Sequence, residues 1–389
     1  MAWFLAQIIP RHGTKSQEMI KVKKARGAYL YTVSHGKMLD TSMGSGSQIL
    51  GHGNAIANKI SKQIKNGTIY SCPNQYTDRV NSYLKNHITP TFDEEYIFCS
   101  TGTEANMRAL RLARAYTGKE KIARFHGGWH GGLCEFLTDH PSACGVSSCA
   151  HNSIKILPYN DDKCFDMITS DLAAVIIEPV QGSNPRCDIK PFLQKLREKC
   201  NSLGIVLIFD EVMTGFRLGK KGGAGLFNIQ PDIVTYGKVL GGGFPIGALG
   251  AKKDILKTKN VFYGGTFSGN PLSMHAAELI LKNVVNEKDI NYQTLHDTGA
   301  LFRNELNKVF IEKGIERRAM GCGSMNRIIF TDIFIKNRKD RDLLESFDHQ
   351  KFHHDLAKKQ VFLNPNGIFH FSMCHTPSVI NNLIDKIIN

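Results

Sequence analysis

The stretch Asp232-Ile-Val-Thr-Tyr-Gly-Lys238-Val-Leu-Gly-Gly-Gly243 decides the fold. Strand-forming residues from Ile233 to Tyr236 run into Gly237, one lysine follows, and a second glycine-rich turn comes directly after it. An ammonium between a buried strand and a tight turn is costly to bury without a partner. One use offsets that cost: a lysine amine held in a dry site can form a Schiff base with a carbonyl compound. Taken alone, Lys238 reads more simply as one of the chain's 49 lysines and arginines on a solvated surface. Its surroundings in the chain decide between the two.

Upstream, Leu172-Ala-Ala-Val-Ile-Ile177 is an unbroken apolar strand ending in Glu178-Pro179, and Ile205-Val-Leu-Ile-Phe209 is another ending in Asp210-Glu211. Between them a helix is predicted over 191–203, with Leu193, Leu196, Cys200 and Leu203 on its inner face and Gly204 as its stop. Further upstream, Glu95-Tyr-Ile-Phe-Cys99 reads as a short strand that turns through Ser100-Thr-Gly-Thr-Glu104 into a helix over 104–116. Thr101 and Glu104 fit a capping box, and Gly118 ends the helix. Ala109, Leu112 and Ala113 form its buried stripe, while Arg108, Arg111 and Arg114 are expected outside. Buried strands alternating with amphipathic helices imply a parallel sheet covered on both faces. Ligands of such sheets lie beyond the carboxyl ends of the strands, so Thr103, Glu178, Asp210 and Lys238 are expected to share one rim. That convergence favours a working lysine.

Bulk properties set the frame. A chain of 389 residues with 42% hydrophobic and 22% charged residues is an ordinary globular α/β protein of two or three domains. An arm with a short hairpin (Gly27–Tyr31 and Lys37–Asp40) occupies 1–50, a large domain 51–270, and a bridging helix with a smaller α+β domain 271–389. The smaller domain carries strand candidates at Arg327–Phe330 and Phe369–Ser372 and helical segments near 291–313 and 340–359. A formal net charge of +14 would suit nucleic acid, but the basic residues are scattered. A non-catalytic nucleic-acid binder is therefore ranked far below an enzyme. The ten cysteines form no CxxC pair and suggest free thiols in a reducing compartment. Cys144, Cys149 and His151 make at most half a metal site. Met1 to Ile9 lacks a basic leader region, and no run is long enough to span a bilayer, so a cytoplasmic protein is expected.

A Schiff-base lysine beside an anion site at a helix N-terminus points to pyridoxal 5′-phosphate. Its ring nitrogen calls for a carboxylate, which Asp210 can supply. Its ring calls for a flat lid, which Trp129 in His126-Gly-Gly-Trp-His130 can provide. Its phosphate calls for donors, available at Gly102 and Thr103. Each residue also has a plainer role: Asp210-Glu211 could hold Mg²⁺, and His126 with His130 could ligate zinc were the segment helical, which its two glycines disfavour.

Four segments, Ser100-Thr-Gly-Thr-Glu-Ala-Asn106, Phe209-Asp-Glu-Val-Met-Thr-Gly-Phe-Arg217, Tyr236-Gly-Lys-Val-Leu-Gly-Gly-Gly243 and Gly265-Thr-Phe-Ser-Gly-Asn-Pro271, occur in order. Together they resemble the class III, fold-type-I pyridoxal-phosphate aminotransferases, nearest to the branch of glutamate-1-semialdehyde 2,1-aminomutases. The resemblance runs from about Ile9 to near the C-terminus. It implies that Lys238 is the Schiff-base lysine and proton shuttle, that Asp210 pairs the pyridinium, and that Val212 and Trp129 cover the two ring faces. Gly102 and Thr103 would hold the phosphate, helped by Thr266 across a homodimer. The implied reaction is ping-pong transfer between a small-molecule amino donor and a carbonyl acceptor, with intramolecular transfer as the alternative. Met213 matches the aminomutase branch, where other relatives carry Gln. The substrate side departs from that branch. Gly13-Thr-Lys-Ser-Gln-Glu-Met19 lacks its Arg, Ser45 replaces its Trp, Pro365-Asn-Gly-Ile-Phe369 lacks its acidic residue, and the loop after Trp129 is shortened.

Overall fold

The computed structural model describes residues 20–389 other than 90, 91, 93, 141, 142, 288 and 345–348. The Gly13–Met19 stretch therefore lies outside the described residues. Strands β1 (Val22–Arg26), β2 (Tyr29–Thr32) and β3 (Lys37–Asp40) make an antiparallel meander, with the expected turn between the last two.

The large sheet is built from β4 (Ile97–Cys99), β5 (Lys121–Phe125), β6 (Ile154–Leu157), β7 (Leu172–Ile177), β8 (Val206–Asp210), β9 (Ile233–Tyr236) and β10 (Gly247–Ala251). Its seven strands run in the order β4-β10-β9-β8-β7-β5-β6. Only β10 is antiparallel to its neighbours, so the sheet is mostly parallel as expected. Every residue of β7 and β8 is buried, and their alternation shows which core each side chain enters. Ala174, Ile176, Val206 and Ile208 pack with Ala109, Leu110, Leu112 and Ala113 of the helix Gly102–Thr117. Val175, Ile177, Leu207 and Phe209 pack on the other side with Leu193, Leu196 and Cys200 of the helix Lys190–Leu203. Burying each of these large aliphatic side chains contributes about 1.5–3 kcal/mol, which is why unbroken apolar strands settle at the sheet centre.

One expectation about the helix Gly102–Thr117 is overturned. Arg111 is exposed, but Arg108 is only 2% exposed. Its guanidinium donates to the carbonyls of Phe98 (2.8 Å) and Gly264 (2.9 Å) and to the Ser268 hydroxyl (3.2 Å). A three-residue recurrence drifts around a helix of 3.6 residues per turn, so it does not keep three arginines on one face.

The helix Pro271–Asn286 leads to a long helix, Tyr292–Glu312, and to a small antiparallel sheet. That sheet comprises β11 (Arg318–Cys322), β12 (Met325–Ile329) and β14 (Ile368–His370), while the short β13 (Val361–Phe362) pairs parallel with β3 and ties the N-terminal meander to it. Of the helical segment expected at 340–359, Arg338–Leu344 and His349–Lys358 are helical, and Pro377–Ile388 is the last helix described. A second correction concerns the cysteines. Cys187 and Cys322, 135 residues apart, are joined by a disulfide, their Cα atoms 5.2 Å apart and so within bridging reach. Among the described residues no helix is long and apolar enough to cross a membrane.

Candidate active site

Three parallel strands and the turn after β4 deliver their next residues to one end of the sheet. β8 finishes on Asp210, whose backbone is in register with Thr235 of β9. Glu178 follows β7, Lys238 follows Gly237 after β9, and Gly102 opens the helix that β4 feeds. Glu178, Asp210 and Lys238 thus stand at the carboxyl ends of neighbouring strands, and Thr103 stands beside Gly102 in the first turn of the helix that β4 feeds.

Asp210 is 2% exposed, and its carboxylate is spoken for on three sides. Oδ1 accepts the Val212 N–H at 3.0 Å. Oδ2 accepts the Asn106 amide at 2.7 Å and, with the proton on Nδ1, the His130 ring at 2.7 Å. Asn106 in turn accepts the Thr235 hydroxyl at 2.6 Å and donates to the His130 carbonyl at 3.0 Å. Every partner donates. An ionised carboxylate offers about four lone-pair sites, so one remains for a further donor.

Glu178 is 5% exposed and bridges two loops: Oε2 accepts the Trp129 N–H at 2.9 Å and Oε1 the Gly182 N–H at 3.1 Å. Burial pushes its pKa up, against the pull of His130. Glu211 points elsewhere. It is fully buried, accepts the Gly223 and Ala224 N–H groups at 2.9 and 2.7 Å together with the Thr214 hydroxyl, and burial pushes its pKa to about 7. It braces a loop and offers no second carboxylate beside Asp210 for a cation.

Lys238 adopts φ +42°, a left-handed conformation rare for a side chain with a Cβ and of the kind stored at functional sites. Among the described residues its amine makes no hydrogen bond or ion pair. Dense surroundings pull its pKa down, Asp210 and Glu178 hold it up, and Arg217 pulls it down again. A half-buried amine, unpaired among the described residues and with its pKa drawn down, has the character of a nucleophile.

The floor of the rim is made of small residues packed on Val212. A Cβ at Gly102 would stand 2.8 Å from Val212 Cγ1, and one at Gly237 would stand 3.2 Å from the same atom. The first-turn N–H groups of Gly102 and Thr103 have no partner within their helix and carry its positive end. Thr101 caps that end through the Glu104 N–H at 3.2 Å, while Glu104 reaches back to the Ser100 N–H at 2.7 Å. Trp129 is anchored by its own N–H, with its ring 5.7 Å from the His140 ring. Thr266, expected to act across a homodimer, stands exposed on the loop 261–270, between Phe262 (71% exposed) and Phe267 (63%). Met213 is buried, with Gly46 and Gly182 against it.

Two pairs of site residues escape sequence reasoning. His130 and Asn106 hold Asp210 across 80 and 104 positions of chain. His130 had suggested only an i, i+4 zinc pair, and Asn106 gave no signal beyond lying in a matching segment. Arg217 and His370 are both fully buried near Lys238, and neither drew attention.

These residues fit pyridoxal 5′-phosphate: an amine unpaired among the described residues, a carboxylate with one lone-pair site left, a glycine floor against Val212 and first-turn N–H groups without a partner in their helix. Comparison with known proteins agrees. Residues 12–367 match the family described as aminotransferase class-III. A glutamate-1-semialdehyde 2,1-aminomutase of Sulfolobus acidocaldarius is 36% identical over 385 residues, covering 94% of this chain and 90% of the relative. The fold superimposes on an ω-transaminase from Sphaerobacter thermophilus with a TM-score of 0.87 at 26% identity, covering 99% of this chain and 95% of that one. It superimposes on a β-phenylalanine aminotransferase from Variovorax paradoxus with a TM-score of 0.86 at 27% identity, covering 98% and 90%. A rim that places one amine, one anchored carboxylate and one helix N-terminus together, on a chain matched to a single family almost throughout, is that of a pyridoxal-phosphate-dependent enzyme of fold type I, and this protein belongs to the class III aminotransferases.

Proposed function

We propose that the protein moves an amino group from a small-molecule amino donor to a separate carbonyl acceptor, in two half-reactions. The observation that carries this is the Lys238 amine, unpaired among the described residues and flanked by Asp210 and Glu178. When bound, the cofactor supplies an electron sink for proton loss at the donor's α-carbon. The chain supplies the rest. Lys238 would hold the cofactor through its amine and, when that amine is free, would serve as the base that moves the proton. Asp210, fixed by Asn106 and His130, would meet the ring nitrogen. Val212 and Trp129 would cover the ring faces, and Gly102 and Thr103 would hold the phosphate. Glu178 keeps the loops of Trp129 and Gly182 together. Borohydride treatment of the purified protein should fix the cofactor to the peptide containing Lys238, and adding amino donors should discharge the cofactor absorbance. A peptide map with the label elsewhere, or with none, would refute the assignment.

Intramolecular transfer on a semialdehyde is the second reading, favoured by the 36% identity to an aminomutase and by Met213. Sustained isomerisation without any keto acid would establish it, and strict dependence on a keto acid would exclude it. The altered positions at Ser45 and Pro365–Phe369 support the first reading.

We infer further that two copies pair through the exposed loop carrying Phe262, Thr266 and Phe267, which brings Thr266 to the partner's phosphate. Arg108 supports this loop from beneath by its bonds to Gly264 and Ser268. The division into 1–50, 51–270 and 271–389 is kept as a proposal. A cytoplasmic setting is inferred from the eight free cysteines.

One glycine gives a local test of the phosphate site. Gly131 has φ +102°, and a Cβ there would come within 2.8 Å of Thr103 Cα and closer still to its side chain. Gly131→Ala must displace Thr103. Loss of about 1.5 kcal/mol of charge-assisted hydrogen bonding should raise the cofactor Kd roughly tenfold. Reconstitution of cofactor-free protein reads this directly, with kcat at saturating cofactor nearly unchanged.

A further inference from the structure

The disulfide between Cys187 and Cys322 ties the segment after β7 covalently to the end of β11 in the small sheet. Its two ends differ in access. Cys187 is exposed, whereas Cys322 is 1% exposed and belongs to one buried cluster with Met213, Leu218 and Met325. The other eight cysteines are free. Eight free thiols beside one bond do not make the dense framework of a small secreted domain. In a reducing compartment a single bond with one accessible end is typically a transient, redox-sensing one.

The segment 178–189 grips the loop 126–129 at three points. Gln181 donates to the His126 carbonyl at 2.9 Å, the Ser183 hydroxyl donates to the Gly127 carbonyl at 2.9 Å, and Glu178 accepts the Trp129 N–H at 2.9 Å. Its other edge is fastened to the C-terminal part of the chain. Arg186 donates to the Ile335 carbonyl, Arg341 donates to the Ser183 carbonyl at 2.6 Å, and Cys187 is bonded to Cys322. Between 179 and 187 the one backbone-to-backbone bond among the described residues runs from the Asn184 N–H to the Gln181 carbonyl at 3.2 Å. A segment with so little backbone bonding of its own is held by side-chain ties and by the disulfide, and such segments open first.

We propose that the Cys187–Cys322 disulfide is a redox-operated clamp on the wall of the active site. Closed, it holds segment 178–189 and, through it, the Trp129 loop; opened by a dithiol reductant, it loosens both. One thiolate of the dithiol attacks the exposed Cys187 sulfur and forms a mixed disulfide there, while Cys322 leaves as a thiolate. The second thiol of the reductant then displaces Cys187. The reductant ends as its own disulfide, and two electrons and two protons have passed to the two cysteines. This goes beyond the aminotransferase reading and rests on it only for the effect on turnover.

Hydrogen–deuterium exchange of the full-length protein, read by peptide mass spectrometry, tests the clamp independently of activity. The protein is compared after equilibration with oxidised glutathione, after dithiothreitol, and after reoxidation, with the state of Cys187 and Cys322 read from alkylated peptides. Reduction should speed exchange about tenfold in peptides covering 126–130 and 179–188, where the Trp129 and Gly182 N–H groups share the Glu178 carboxylate. Strand β8 and the helix Lys190–Leu203 should be unchanged, and reoxidation should restore slow exchange. Cys187→Ser alters an exposed side chain and is the variant chosen to fold. It should exchange like the reduced protein under all three conditions. The kcat/KM for the amino donor should fall about tenfold on reduction, since a loosened wall positions its groups less well. Equal exchange at 126–130 in the two states, with the bond shown open in one of them, makes the disulfide a plain staple and overturns the proposal. Both thiols staying free after equilibration with oxidised glutathione overturns it as well. Failure of borohydride fixation at Lys238 would strike the parent reading and leave the exchange results standing.

Discussion

Replacing Lys238 by alanine is expected to abolish covalent attachment of the cofactor and to lower amino transfer about 10⁴-fold, the upper range for a positioned proton-transfer group. The size follows from the absence of a substitute. Asp210 is committed to Val212, Asn106 and His130, and Glu178 to the N–H groups of Trp129 and Gly182. Arg217 stays protonated and donates to carbonyls and a hydroxyl. No group left at the rim is both basic and free to move between two carbons. The fold should survive, because the amine makes no hydrogen bond among the described residues and alanine inherits only the strained φ already present. Cofactor should still bind through Gly102, Thr103 and Asp210, but borohydride should no longer fix it. A small primary amine added to the buffer should restore part of the rate, since it supplies the missing base without the tether. Retention of more than about a hundredth of the wild-type rate would place the proton shuttle elsewhere, given the roughly 10²-fold floor of such catalysis.

The same residues show why much of this site could be seen in the sequence and why some could not. Strands β7 and β9 were legible to the residue, because strands buried on both faces are unbroken apolar runs. Their strand-end residues then followed from the rule for parallel sheets. Strand β10, Gly247-Ala-Leu-Gly-Ala251, carries no strand-forming signal. Its glycines serve contact instead: a Cβ at Gly247 would stand 2.2 Å from the Thr101 carbonyl and one at Gly250 2.3 Å from the Tyr96 ring. Strand β5 hides behind Arg124, a fully buried arginine that pairs with Asp139. A charge in a strand reads as surface until its partner is known. Arg108 misled for the same reason, its acceptors being carbonyls and a hydroxyl from elsewhere in the chain. The disulfide between Cys187 and Cys322 has no local signature at all. What sequence pattern conveys is burial by period and turns by composition. What it leaves out is the partner that makes a buried polar group affordable, and the partners of His130, Asn106 and Arg217 are all distant in the chain.

Those partners set the second large effect. Asp210→Asn keeps the shape of the side chain and removes its charge, and kcat should fall about 10³-fold, the loss typical of deleting one preorganised electrostatic contact to the reacting group. The amide cannot satisfy its neighbours. Oδ1 and Oδ2 both accept in the native site, so the new NH₂ must face either the Val212 N–H or the Asn106 amide and His130 Nδ1, donor against donor. In either orientation a donor of the site, Val212 N–H or the Asn106 and His130 pair, would lose its acceptor, so a drop in Tm of a few degrees should accompany the loss of activity, in line with about 1–3 kcal/mol for a buried group left unpaired. The ring nitrogen of the cofactor would meet a neutral amide and hold its proton less firmly, weakening the electron sink on which proton removal depends. Lys238 offers an independent sign. Asp210 is the larger of the two carboxylate influences holding its pKa up, so Asp210→Asn should shift downward the pH midpoint at which acetic anhydride labels Lys238, read by peptide mass spectrometry. Asp210→Glu should restore the sign of the charge and part of the midpoint, but little of kcat, because a longer carboxylate cannot meet Val212, Asn106 and His130 at their present distances. A variant carrying asparagine that turned over at the wild-type rate, with the Lys238 midpoint unmoved, would show that the carboxylate tuning this site is Glu178.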